Sequence, residues 1–365
     1  MPATVPALMK AVHLVGHGGF ESLVFRDDVP VPAPGDHDVL IKLTAAGVNN
    51  TDINTRIGWY SKAVTGDTNA GGEGGFDEVD ADDASWSGES LVFPRIQGAD
   101  VSGEIVAVGA KVDQGRIGER VLCRTMMDVP GKEAPFSCWT MGSECDGGFA
   151  QYARVPAVEA FPIKTDLSDI ELAAIPCAYS TAENMLFRVR LGAERVLITG
   201  ASGGVGSAAV QLAKQRGCEV IAIAAEAKAD ALKALGADQV VDRHADLLAV
   251  LGRDAVDVVV DLVAGSGWPT LLELLRRGGR YITAGAIAGP IVELDVRTLY
   301  LKDLSLLGST YQDRAAFENL IALLEKGAVR PPIAATFPLH EIAKAQAMFL
   351  EKNFVGKIVL TIPQD

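Results

Sequence analysis

The sequence predicts an α/β chain in two parts, a β-rich unit followed by a doubly wound parallel sheet. The first ~160 residues hold short alternating or apolar runs broken by Gly and Pro, the pattern of a compact β-rich unit. From Arg195 onward, six short apolar runs alternate with helical stretches, as buried parallel strands and their crossovers do. A glycine-rich turn, 200–206, lies between the first of those runs and an amphipathic segment. The length, 365 residues, suits about two domains.

Taken in order, 9–15 and 38–46 (DVLIKLTAA) read as strands, with Pro30, Pro32 and Pro34 between them. The stretch 66–89 has eight acidic residues, six glycines and no Lys or Arg, so it reads as a solvated surface loop. Strand character returns at 100–108 and 118–123, and 167–190 has helical spacing. The six runs are 195–199 (RVLIT), 219–223 (EVIAI), 239–241 (QVV), 256–262 (VDVVVDL), 280–283 (RYIT) and 304–307 (LSLL). Helices over 315–326 and 339–351 and a strand over 357–362 close the chain.

Lys and Arg number 33 against 47 Asp and Glu, a formal net charge of −14. That balance argues against nucleic acid or an anionic membrane as the main partner, though not against a local basic pocket for one phosphate. No run approaches the ~18 apolar residues of a membrane span. The start lacks a basic segment before an apolar run and does not read as a signal peptide. Five cysteines, odd in number and widely spaced, make a disulfide framework an unsuitable reading and a reducing cytoplasm the simplest setting.

The strongest local signal is RVLITGASGGVGSAAVQLAKQRG, 195–217. Val205, Ala208, Ala209 and Leu212 share one helical face. The turn Ala201-Ser202-Gly203-Gly204-Val205-Gly206 is an AxGxxG form of the dinucleotide fingerprint. A side chain at Gly203 would block a pyrophosphate, and Gly206 lets the helix close on the sheet. The flanking strand and helix are the context that makes the motif informative. An acid at the tip of the next strand would bind the ribose of NAD, but that tip is Ala224, with Lys228 four residues on. The pattern favours the 2′-phosphate of NADP, with Arg243 as a second cation. The alternative leaves Lys228 solvated and gives the ribose to Glu226.

The chain resembles the medium-chain dehydrogenase/reductase superfamily, most of all its zinc-free quinone oxidoreductase (zeta-crystallin-like) branch. The resemblance rests on MKAVHL at the start, AAGVNNTDINTRIGWY (45–60), GADVSGEIVAVG (98–109), GGFAQYARV (147–155), AAIPCAYSTAENML (173–186), the ASGGVG turn, KALGAD (233–238) and VGKIVL (355–360). It implies a GroES-like catalytic domain over 1–160, completed by 310–365, around a Rossmann NADP-binding domain over 161–309. It also implies a homodimer and a cleft that holds nicotinamide and a small-molecule substrate. Thr181, Gly285 and Lys357 match cofactor-proximal positions of the family, and Tyr179 matches the stretch lining the cofactor or belongs to the core.

Relatives with catalytic zinc use a Cys, a His and a later Cys or Asp. Here Asn49 and Ala99 stand at the first two positions and only Cys177 matches the third. Catalytic zinc needs three protein ligands and an open position, so no metal is expected. Cys123, Cys138 and Cys145, spaced by 15 and 7, do not form a structural zinc set, and all five histidines lie outside the metal motifs. Hydride delivery to a quinone or an activated C=C bond needs less electrophilic help than carbonyl reduction. The resemblance then points to Asn49, Asp52 and Tyr60 as catalytic candidates, with Tyr60 the proposed proton donor. Asp52 also reads as a structural acceptor, with Arg56 as its i+4 ion-pair partner. Between Tyr60 and the GAD element, 61–95 adds roughly 25 residues to the family's short link; loops this long are usually functional or disordered. The run 77–83 lacks the pattern of a calcium loop. The expected function is NADPH-dependent reduction of a quinone or enone. Alternatives are an enoyl-thioester or carbonyl reductase, or an NADPH-binding protein with little turnover.

Overall fold

The computed structural model describes residues 5–129 and 136–364. The six apolar runs form one parallel sheet. Its spatial order is Gln239–Asp242, Glu219–Ala224, Arg195–Ile198, Val256–Asp261, Leu275–Thr283, Ser305–Gly308. Chain order therefore reverses at the strand that feeds the glycine turn, which opens a crevice at the carboxyl ends of the strands. Side chains alternate across the sheet. Val196, Ile198, Val258 and Val260 face the helices Pro176–Arg188 and Gly204–Gln215 through Met185, Ala208, Ala209 and Leu212. Leu197, Ile221 and Val259 face Trp268, Leu271 and Leu272 on the other side. Burial on both faces is why these strands read as continuous apolar runs.

The preceding part is antiparallel. Five strands run in the order Tyr152–Pro156, Asp38–Leu43, Ser102–Val108, Arg120–Cys123, Ala160–Pro162. The single strand expected over 38–46 is two, Asp38–Leu43 and Ala45–Val48, in different sheets. The chain changes sheet at Thr44: the Leu43 N–H donates to the Gln151 carbonyl, and the Thr44 carbonyl accepts from the Ile362 N–H. Lys357–Thr361 pairs antiparallel with Ala45–Val48, Ile358 opposite Val48 and Leu360 opposite Ala46. The end of the chain thus returns to the first part and sets Lys357 beside Val48 and Asn49. Among the described residues no helix is long and apolar enough to cross a membrane.

The acidic insertion has no strand before Arg95, and one short turn, Thr68–Gly71, capped by Asp67. Its acids are largely exposed, as expected, but it is docked rather than merely solvated. Val64, Thr68, Gly71, Ala84 and Ser85 are buried. The Phe76 N–H donates to the Ile57 carbonyl (3.3 Å), and the Thr68 N–H reaches the Ile287 carbonyl beyond the parallel sheet (3.2 Å). The insertion therefore straps one part of the chain to the other.

Arg56 is the anchor, and not the partner of Asp52. Its guanidinium is fully buried. It donates to the Gly18 carbonyl (2.7 Å), to Gln346 Oε1 (2.8 Å) and to the Gly72 carbonyl of the insertion, and it stacks on Phe20. The two residues lie at opposite ends of the helix Asn50–Ile57. Asp52, in the first turn, satisfies an N–H there, while Arg56, in the last turn, collects carbonyls.

Candidate active site

The glycine turn forms the cradle expected of a dinucleotide site. Gly200 takes a left-handed φ of 57°, which lets the strand turn sharply into the helix. A Cβ on Gly206 would lie 2.3 Å from the Gly200 carbonyl oxygen and 2.6 Å from Ala201 Cα, so only glycine lets this helix pack so closely. A Cβ on Gly203 would meet only that same oxygen, at 3.5 Å; the space in front of the helix is open. Gly203 caps the helix Gly204–Gln215 without a side-chain acceptor. The first-turn N–H groups at 204–206, Val205 among them, have no intrahelical partner and attract an anion.

A cationic cluster stands beside that turn. Lys228 Nζ donates to Ser202 Oγ (3.1 Å) and to the Lys352 carbonyl. Lys352 Nζ donates to Asn50 Oδ1 (3.2 Å) and lies over the Phe349 ring. Burial and the Lys228 charge bring the Lys352 ammonium down to about 7. Burial, then the Arg243 charge, holds Lys228 below its ordinary value. Asp242 lies opposite Ala224 on the neighbouring strand. It accepts the N–H groups of Glu226 and His244. Lys228 and Lys352 thus lie together, with the Arg243 charge felt at Lys228, a cationic cluster that favours an anion in a strongly acidic chain. The sequence reading missed Lys352, because its partners come from far along the chain and only folding brings them together.

An ammonium ion, that of Lys357, stands at the first of the positions where relatives carry zinc ligands, bound to Asn49 and to Asp100, which follows Ala99. Lys357 Nζ donates to the Val48 carbonyl (3.1 Å), to Asp100 Oδ2 (3.1 Å) and to Asn49 Oδ1. Its stem lies against Gly204 of the turn, where a Cβ would come within 2.7 Å of Lys357 Cδ. Asn49 Nδ2 donates to Asp100 Oδ2 (2.7 Å), and the Cys177 N–H donates to Asp100 Oδ1 (2.6 Å). Both ends of the Asn49 amide are therefore engaged. Asp52 Oδ2 accepts from the Asn49 N–H (2.8 Å) as half of a capping box. Burial pushes its carboxyl up to about 7, against the pull of that N–H. Burial, then Asp100, also pushes up the Cys177 thiol, which stays protonated.

Tyr60 donates to Thr51 Oγ1 (3.3 Å), and Trp86 Nε1 donates to the same oxygen (2.9 Å). The phenol and indole centroids are 4.7 Å apart. Burial pushes the phenol above its ordinary value, so it is protonated at neutral pH. Its hydroxyl is covered and engaged by Thr51. The sequence reading also missed Thr51 and Trp86. An indole inside a polar, acidic stretch was the available signal for the second.

The remaining candidates divide. Thr181 is half-buried on the helix Pro176–Arg188, with Gln312 Nε2 at 3.5 Å from its hydroxyl. Gly285 follows the strand Leu275–Thr283 on a loop tied back by the Ala288 N–H to the Val263 carbonyl (2.9 Å). Tyr179 is fully buried, and its hydroxyl accepts from Gln211 Nε2 (2.8 Å), so it packs in the core.

Two family models match the chain: the alcohol dehydrogenase GroES-like domain over residues 35–165 and the zinc-binding dehydrogenase over 204–326. Mouse quinone oxidoreductase is 31% identical, over 99% of this chain and 100% of its own. The acryloyl-coenzyme A reductase of Metallosphaera sedula is 29% identical, over 97% and 100%. A crystal structure from Sinorhizobium meliloti 1021 superposes with a TM-score of 0.87 at 46% identity, covering 99% of this chain and 98% of that one. An NAD-dependent alcohol dehydrogenase superposes at 0.83 with 28% identity, covering 97% and 100%.

Proposed function

The chain belongs to the medium-chain dehydrogenase/reductase superfamily, in its quinone oxidoreductase branch, and from that premise we propose that it is an NADPH-dependent, zinc-free reductase of quinones or activated C=C bonds. The observation that carries the reading is the replacement of a metal-ligand set by the Asn49–Asp100–Lys357 network. Zinc needs N, S or carboxylate donors. Two of the three family positions offer none, and the ammonium of Lys357 stands among them. The residues do not fit a catalytic metal, and no step is routed through one.

The turn 201–206 would hold the pyrophosphate, and Lys228, Arg243, Lys352 and Ser202 the 2′-phosphate, with Thr181 and Gly285 on the nicotinamide side. Bound NADPH supplies the hydride. The chain's own part is to place the acceptor and manage the charge that develops on it. Lys357, with Asp100, holds Asn49 and the end of the strand Ala45–Val48 rigid beside the glycine turn. Tyr60, protonated and close to this network, would donate its proton or a hydrogen bond to the enolate once Thr51 releases it. Asp52 holds the helix that carries Thr51 rather than taking part in the chemistry.

The two acryloyl-coenzyme A reductases among the relatives favour an enoyl thioester as the second reading. We also propose a homodimer. The edge strand Ser305–Gly308 is open on one side, beside exposed Val296, Tyr300, Leu301 and Leu306. Sedimentation of the wild type and of Leu306→Arg tests it: dimer against monomer is expected, and a monomeric wild type refutes it. The function is tested by NADPH oxidation against quinones, enones and enoyl thioesters. Turnover of a quinone or enone with NADPH well above NADH is expected. Turnover confined to saturated carbonyls or alcohols overturns the reading.

A further inference from the structure

We propose that Trp86, carried by the acidic insertion, is the specificity-determining residue of the substrate site and restricts it to acceptors without a bulky aryl substituent on the reacting bond. This rests on the reading above of a quinone or enone reductase.

A groove of about 870 Å³ runs between the two parts of the chain. Trp86 and Ser85 form one wall, Cys138 and Trp139 another, and Ser309 and Tyr311, just after the edge strand of the parallel sheet, a third. Asn184 Nδ2 fixes that third wall through Ser309 Oγ (2.9 Å) and the Tyr311 carbonyl (2.8 Å). Tyr60 does not line the groove. It packs on Trp86, so the indole stands between the groove and the phenol.

The spacing decides what can enter. Ring faces touch at about 3.5–4.0 Å between carbons, so a third ring slipped between two others needs roughly 7 Å. The indole and phenol centroids are 4.7 Å apart, tilted by 48°. A substrate reaches Tyr60 only past the indole edge. The indole is held, since its N–H is spent on Thr51 Oγ1. The Ser87 N–H, next in the chain, donates to Glu144 Oε1 (2.9 Å), and Thr68 is tied to Ile287 (3.2 Å). The strap that carries Trp86 is thus pinned at Glu144, which lines the groove, and at Ile287 beyond the parallel sheet. A narrow acceptor fits beside the indole; a bulky one must displace it and break these bonds.

The test compares two enones, cyclohex-2-enone and 4-phenylbut-3-en-2-one, on the wild type, Trp86→Ala, Trp86→Phe and Thr51→Val. Two readouts are taken: kcat/KM with saturating NADPH, and the calorimetric Kd of each enone for the NADP⁺-loaded protein. Trp86→Ala should raise the ratio of phenyl-bearing to plain enone by about tenfold or more, the scale at which pocket walls discriminate. Trp86→Phe should shift it less. Thr51→Val, which frees the indole at nearly unchanged volume, should shift it in the same direction, and it decides the matter if Trp86→Ala fails to fold. A ratio within twofold of wild type in both readouts overturns the proposal. A wild type that binds the enones but reduces neither, nor any quinone, overturns the reductase reading, while the Kd ratio still judges Trp86.

Discussion

Replacing Lys352 by Met tests the cationic cluster through pH. In the free protein, burial and Lys228 bring this ammonium from an ordinary 10.5 to about 7. The folded free chain therefore binds fewer protons than the unfolded chain between about 7 and 10.5, and the lysine's contribution to stability rises with pH across that window. A bound 2′-phosphate reverses the preference, since it is served by the charged form. A hydrogen bond to a charged group is worth about 1.5–3 kcal/mol. At about 1.36 kcal/mol per pH unit, that lifts the bound-state midpoint by roughly one to two units. NADPH affinity should then be highest near pH ~6.5, fall by about 10- to 100-fold up to pH ~9, and level off. The phosphate, with its own second pKa near ~6, stays doubly charged over that range. NADH lacks the group and should show a flat profile. Lys352→Met should hold NADPH at the weak, high-pH affinity of the wild type at every pH. Calorimetric Kd values for both cofactors from pH 6 to 9.5 are the assay. Parallel profiles for NADPH and NADH, or an undiminished pH slope in Lys352→Met, would refute the assignment of this lysine to the phosphate.

Tyr60→Phe keeps the ring and its packing on Trp86 but removes the proton, so kcat for an enone should fall by about 10²–10⁴ with NADPH affinity unchanged; a loss under threefold makes Tyr60 a wall residue. Lys228→Ala should weaken NADPH by about 10- to 100-fold and leave NADH nearly untouched, read by competitive binding; equal losses would remove Lys228 from the phosphate site. Purified enzyme should carry well under one zinc per chain by elemental analysis and keep its activity in chelator, whereas one zinc and chelator sensitivity would restore the metal. Arg56→Leu leaves the Gly18, Gly72 and Gln346 acceptors unsatisfied. At about 1–3 kcal/mol for each buried group, the loss should exceed ~3 kcal/mol in denaturant unfolding and expose the insertion to proteolysis. A loss below ~1 kcal/mol would contradict its anchoring role.

Periodicity made the parallel sheet legible because its strands are buried on both faces. Val196–Ile198 and Val258–Val260 need no partner outside the local pattern to read as strands. The glycine turn was legible for a related reason: Gly206 answers a steric demand made within a few residues. What stayed hidden depends on long-range closure. The strand at 38–46 breaks at Thr44 only because the end of the chain supplies Ile362. Arg56 looked like the helical partner of Asp52, yet the Asn49 N–H and the Gly18 and Gly72 carbonyls outcompete that pair. Lys357 joins Asn49 and Asp100 across some 250–310 residues of chain. The acidic insertion read as solvent-facing because charge dominates its composition, while its few buried residues and Trp86 set its place.

The most direct test of hydride delivery to an activated C=C bond is isotopic. Wild-type enzyme is supplied with an enone and NADPH carrying deuterium at the nicotinamide C4, each face in turn, and the product is read by NMR. Deuterium at the β-carbon of a saturated ketone, from one labelled face only, is the predicted result. Deuterium at the carbonyl carbon of an allylic alcohol would contradict the account and return the enzyme to alcohol dehydrogenase chemistry.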